Sequence, residues 1–182
     1  TPYIDDIRKN FANTVKQAYQ QGIEYPNLDG LQENLAYHLR MVIKRHPQGF
    51  LNYVTLAEFK NIFYQSNPNY LNEAEEMTLK ALELSPKRQQ SFYVLGKTKL
   101  LKGDIAGAYK AFEDAVSANP DSAEPHFYFA LMAYGLGDSK KGVAELAEAE
   151  RLGRGPQKIE EFVILGNYVG DLNNDYKKAI EY

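Results

Sequence analysis

Small residues return every thirty-four positions in this sequence, and a proline keeps time with two of the copies. Ala74, Ala81 and Pro86 are followed by Ala108, Ala115 and Pro120, and then by Gly142 and Ala149. A period of this length is the mark of a repeat architecture, in which one supersecondary unit buries its apolar face only against the next. The stretch from Gln89 to Pro120 shows what the unit contains. Phe92, Leu95, Gly96 and Leu100 are spaced by threes and fours, which places them on one helical face. Gly103-Asp104 breaks that helix, glycine supplying the positive φ that a helix C-terminus favours. Ala108, Phe112, Ala115 and Val116 mark a second helix from Ile105 to Asn119. Pro120 closes it, because proline disfavours helical geometry in the residue before it.

The same frame extends both ways. Downstream, Phe129 and Ala130 stand where Leu95 and Gly96 stood, and Gly137-Asp138 repeats the turn. Gly142, Leu146 and Ala149 repeat the second helix, which ends at "RLGRGP" with Pro156 two residues late. Upstream, Tyr53, Leu56 and Ala57 pair with Ala74, Thr78, Ala81 and Pro86. Five extra residues fall in the turn-rich "QSNPN", where insertions cost little. A fourth copy opens at Ile159 with Phe162, Leu165, Gly166 and Ala179, and the sequence ends within its second helix. The opening residues keep the helical style without the motif. Ile4, Ile7, Phe11 and Val15 mark one face, and Leu28, Leu31, Leu35, Leu39 and Val42 another, with Pro47 as a stop. Such a divergent pair suits the end of a stack, whose last internal unit would otherwise expose apolar surface.

Packing explains the clock. Two antiparallel helices approach closely only where one presents almost no side chain. Gly96 with Ala108, Ala57 with Ala74, and Ala130 with Gly142 have that shape, while Phe92, Phe112, Phe129 and Leu146 fill the space between neighbouring pairs. The expected fold is therefore all-α, a right-handed solenoid of antiparallel helix pairs, with about nine helices.

Composition narrows the function. Of 182 residues, 25% are charged and the net charge is −3, which argues against a nucleic-acid partner and its need for clustered Lys and Arg. No apolar run reaches the roughly 18 to 20 residues of a membrane span, so direct insertion of this segment is not expected. No apolar signal-peptide core opens the sequence, and Thr rather than Met at its start fits a processed or excised piece. With no cysteine, disulfides and Cys-based zinc sites are excluded.

The pattern of Phe92, Leu95, Gly96, Ala108, Phe112, Ala115 and Pro120 resembles the tetratricopeptide repeat, departing at Lys99, where that family prefers Tyr. The resemblance implies one domain over residues 1–182. Its parts are a divergent helical pair at 1–49, full repeats at 50–88, 89–122 and 123–156, and a partial repeat at 157–182. It also implies a non-enzymatic scaffold that holds a protein or peptide ligand on its concave side, lined by fixed first-helix positions. Carried over residue by residue, these are Val54, Glu58 and Asn61, then Tyr93, Lys97 and Leu100. Next come Phe127, Leu131 and Tyr134, and finally Val163 and Asn167. Chaperone-binding members grip a terminal carboxylate with a basic and amide clamp; here the corresponding positions carry Tyr93 with Lys97 and Phe127 with Leu131, and a single lysine is no clamp.

A second resemblance concerns Asn69-Tyr70-Leu71, Glu73-Ala74-Glu75 and the run from Leu84 to Gln90. They are similar to the soluble repeat segment of bacterial O-antigen ligase or polymerase-like membrane proteins. That origin would make the chain an extracytoplasmic appendage of a glycan-assembly protein; otherwise a cytoplasmic location is expected.

A chemical site of its own is not expected. His38 and His46 are too far apart to chelate one ion easily, and His126 lies near a helix start, so all three read as surface or structural. Asp171, Asn173 and Asp175 imitate the start of a calcium loop, but Tyr176 and Tyr182 stand where that loop needs Gly and Glu. Glu73, Glu75 and Glu76 open a helix, where the helix dipole favours negative charge. No phosphate loop and no Ser/His/Asp set is present. Neither a cofactor nor a metal is implied, and no catalysis.

Overall fold

The computed structural model describes residues 6, 10–15, 17, 28–67, 69–157 and 161. Most of the first opening helix and nearly all of the expected fourth copy, including Val163, Asn167, Asp171, Asn173 and Asp175, lie outside them. Seven helices have defined bounds. They are α1 (Leu28–Arg45), α2 (Phe50–Ile62), α3 (Tyr70–Leu84), α4 (Gln89–Leu101), α5 (Ile105–Ala118), α6 (Ala123–Gly135) and α7 (Ser139–Arg151). No strand occurs among the described residues. The helices fall into two compact units, Thr1–Lys102 and Gly103–Tyr182.

Helix boundaries follow from local chemistry. Ser85 and Asn119, each preceding a proline, leave helical geometry at φ −150° and −152° and close α3 and α5. Gly103, Gly137 and Gly153 hold φ of +76°, +80° and +90° at helix ends, a region that costs glycine little. After α6 and α7 the chain reverses through the glycine, and Asp138 and Arg154 donate their backbone N–H groups to Ala133 and Ala149. The two turn aspartates then start the next helix. Asp104 Oδ1 accepts from the Gly107 amide at 2.9 Å, and Asp138 Oδ1 from the Lys141 amide at 3.1 Å.

The first unit holds α1 to α4. Its core has two parts. One gathers Ala12, Val15, Leu35, Ala36, Leu39, Leu56, Phe59, Phe63 and Tyr70. The other gathers Tyr53, Val54, Ala57, Ala74, Ala81 and Val94, so Ala57 and Ala74 share a core as their spacing requires. Phe11, read as a core position, is instead 49% exposed, while Val15 on the same turn-spaced face is buried.

The second unit holds α5 to α7. Phe112 stacks on Tyr128 at 5.4 Å, and Tyr109 meets Phe129 edge-on at 4.8 Å, joining α5 to α6. Helix α7 joins α6 where Gly142 lies beneath the Tyr134 ring. Ala108, Ala115, Ala130 and Ala149 are fully buried.

Candidate functional site

Helices α2 and α4 border a cleft of about 320 Å³ in the first unit, lined by Glu58, Asn61, Ile62, Tyr93, Val94, Lys97 and Leu101. Its lining repeats every four residues on α4, at positions 93, 97 and 101, which is the spacing that keeps side chains on one face of a helix. One acid, one base, one carboxamide and one phenol are set among aliphatic side chains. This is a mixture suited to a polypeptide segment, and the volume lies at the small end for ligand pockets.

Two contacts tie the walls together. Asn61 Nδ2 donates to Thr98 Oγ1 at 2.8 Å, linking α2 to α4. Gln90 Nε2 donates to Glu58 Oε1 at 3.4 Å near the start of α4. Lys97 Nζ lies 5.8 Å from the centre of the Tyr93 ring.

The residues carried over from the resemblance are placed unequally. Glu58, Asn61, Tyr93 and Lys97 line the cleft together. Val54 is fully buried in the core beneath. Leu101 rather than Leu100 closes the α4 side, and Leu100 is half-buried outside the lining. Phe127, Leu131 and Tyr134, in the second unit, are 0%, 4% and 4% exposed and present almost no surface to a ligand. The Arg154 guanidinium lies over the Phe127 ring at 4.0 Å and is held there by Glu124 at 2.9 Å and Glu161 at 3.0 Å. Ile62 and Val94 were not foreseen as lining, although Ile62 follows Glu58 by four residues and Val94 precedes Lys97 by three.

A second crevice in the first unit, about 370 Å³, is lined by residues of α1, α2 and α3, among them Arg40, Tyr53 and Glu73. Two of its charges, Arg40 and Glu73, pair with each other. Lys60, fully buried, places Nζ 2.8 Å from Glu73 Oε2 and 3.6 Å from the centre of the Tyr70 ring. Arg40 donates to the same carboxylate oxygen at 2.9 Å, and the Tyr70 hydroxyl donates to Glu33 at 2.5 Å. Burial lowers the Lys60 ammonium below the usual lysine range against the opposing pull of Glu73. Burial also works to raise Glu73, but Lys60 and Arg40 outweigh it and hold the carboxyl low. Burial, reinforced by Glu33, pushes the Tyr70 phenol up. Glu75, on the same helix as Glu73, is held low by Lys102 and Lys99, at 2.6 and 2.7 Å. Glu73 and Glu75 of the acidic cluster at the start of α3 therefore serve as interhelical ion pairing, a role that dipole reasoning alone did not indicate.

His126 is structural. It is 5% exposed, with Nδ1 2.5 Å from Glu145 Oε2 and Nε2 2.8 Å from the Pro120 carbonyl. Among the described residues no group of three His, Asp or Glu side chains is arranged to hold a metal ion. None of the described helices is long and apolar enough to cross a membrane.

Known structures share this fold. A thermophilic tetratricopeptide-repeat protein of Thermus thermophilus, TTC0263, superposes with a TM-score of 0.66 at 20% identity, over 97% of this chain and 90% of its own. MamA from Desulfovibrio magneticus RS-1 gives 0.65 at 19% identity, over 96% and 90%. YrrB, described as a TPR protein with an unusual peptide-binding site, gives 0.62 at 18% identity, over 96% and 80%. No protein-family model and no curated protein matches the sequence. The ligase-like resemblance finds no counterpart among the structures named here. The fold is thus all-α and of tetratricopeptide-repeat type.

Proposed function

We propose that this chain is a non-enzymatic scaffold that holds a short segment of a partner protein or peptide in the cleft between α2 and α4. The observation that carries this reading is the cleft itself. It brings together Glu58 and Asn61 from one helix with Tyr93 and Lys97 from another, beside Ile62 and Leu101. Apolar anchors with a few polar groups are what peptide recognition requires, the first for affinity and the second for register. A peptide-binding site is described for YrrB, whose fold this chain shares. The carboxylate-clamp mode is disfavoured by the lining, where Lys97 is the one cationic side chain and the acidic Glu58 shares the cleft.

The test begins with a displayed random-peptide library selected on the intact chain. Affinity of a selected peptide is then measured for wild type and for the Tyr93→Ala/Lys97→Ala variant, with circular dichroism to verify folding. Loss of an aromatic anchor and a polar partner together weakens binding on the order of tenfold or more. A folded variant that binds as wild type does, or a selection that yields no peptide, removes this reading.

A further inference from the structure

We propose that Thr98 is a positioning residue for the cleft: its hydroxyl, buried behind the lining, holds the Asn61 carboxamide in the orientation that meets a bound peptide main chain. The inference rests on the peptide-binding reading above and names what that site recognises, namely backbone amides of an extended segment.

Thr98 is fully buried on α4, so its hydroxyl must find partners inside the protein. A threonine hydroxyl has one hydrogen to give and two lone pairs. The hydrogen goes to the Val94 carbonyl at 2.9 Å or to Asn61 Oδ1 at 3.1 Å. In both arrangements Oγ1 keeps a lone pair for Asn61 Nδ2, which donates at 2.8 Å. The carboxamide of α2 is therefore gripped from α4, and swinging it away from Oγ1 would break both of its contacts there. Asn61 carries two Nδ2 hydrogens and two Oδ1 lone pairs. One hydrogen is committed to Thr98, which leaves a donor and an acceptor on a half-buried side chain of the lining. A peptide main chain offers the complement, a carbonyl and an N–H. Threonine has a further consequence here. Its methyl packs like valine's, so the hydroxyl adds orientation to a position that shape alone could fill.

A side chain already fixed before binding loses less freedom on binding, so removing the grip weakens affinity on the order of fivefold, the immobilisation cost of one polar side chain. The variant is Thr98→Val, which keeps the shape and deletes the hydroxyl, with Thr98→Ser as its rescue. Two readouts follow. Without ligand, the Asn61 side-chain amide protons in ¹⁵N–¹H spectra are protected from exchange in wild type and Thr98→Ser, and lose protection in Thr98→Val. With the library-selected peptide, Thr98→Val weakens binding about fivefold, Thr98→Ser restores it, and Thr98→Val adds nothing in an Asn61→Ala background. The proposal is overturned if the Asn61 signals are indifferent to Thr98→Val, or if the affinity loss persists undiminished in the Asn61→Ala background. If Tyr93→Ala/Lys97→Ala abolishes binding while Thr98→Val does not, this inference alone falls. If neither change affects binding, the cleft reading falls with it.

Discussion

Gly142 on α7 has room for hydrogen and nothing larger, because a Cβ there would lie 2.8 Å from the Tyr134 ring. The ring is buried and cannot swing away. Gly142→Ala gains helix propensity but forces a displacement in a packed core, and overpacking of this kind costs about 1 to 3 kcal/mol. Thermal unfolding should therefore show a lower Tm for Gly142→Ala, and Tyr134→Leu in the same background should recover part of the loss. A Gly142→Ala protein as stable as wild type would mean that the close approach is not required. Lys60 poses the opposite case, a charge where a methylene would fit. Removing only its carboxylate partner strands a buried ammonium, whereas removing both leaves no buried charge, since Arg40, the other partner of Glu73, is exposed to solvent. Glu73→Leu is expected to cost about 3 kcal/mol, and Lys60→Met/Glu73→Leu to recover most of it. Denaturant titrations of the two variants against wild type measure that order directly.

At the scale of the helix, α6 shows both what could be read in advance and what could not. Its sequence runs Pro125, His126, Phe127, Tyr128, Phe129, Ala130, Leu131, Met132, Ala133, Tyr134 with no polar stripe, and all but Tyr128 are buried. A helix apolar all round is a core element. That signal was present in the residues, but positions transferred from a repeat pattern placed Phe127, Leu131 and Tyr134 in an open groove. The small-residue clock fared differently, because Ala57 and Ala74 share one core and Gly142 lies where a Cβ would strike the Tyr134 ring, which leaves few substitutes. Four cleft residues, Glu58, Asn61, Tyr93 and Lys97, could be found from the repeat frame. Thr98 could not, because its partner Asn61 is thirty-seven positions away and a lone threonine in a helix carries no pattern. His126 was legible only as a surface or structural residue. What could not be read is that it spans α6, α7 and the preceding turn through Glu145 and Pro120. His126→Leu removes the ring contacts to the Pro120 carbonyl and the Glu145 carboxylate, a loss of about 1 to 3 kcal/mol. A double-mutant cycle with Glu145→Gln, read by thermal unfolding, should show the two changes to be non-additive.

For the molecule as a whole, the buried and half-buried carboxylates set how stability responds to acid. Glu73 and Glu75 both have folded-state values held below the ordinary glutamate range, the first against burial by Lys60 and Arg40, the second by Lys102 and Lys99. A carboxyl depressed on folding binds its proton less tightly in the native state than in the unfolded chain. Its stabilisation is therefore complete above the unfolded value, about 4.3 for glutamate, and is lost as pH falls through the lower folded value. Lys60 acts with the other sign. Its depressed value means that the native state holds the ammonium at a cost, relieved as pH rises toward the lysine range near 10.4. Acid removes the Glu73 carboxylate while leaving Lys60 and Arg40 charged around it, so the ion-pair knot of the first unit turns into unpaired positive charge. Unfolding midpoints measured from pH 7 down to about 3 should accordingly hold steady and then drop below about pH 4.5. In Lys60→Met/Glu73→Leu the drop should be shallower, because one of the depressed carboxyls is gone while Glu75 and Glu148 remain. A double variant that loses stability as steeply as wild type would assign the acid response to carboxylates other than Glu73.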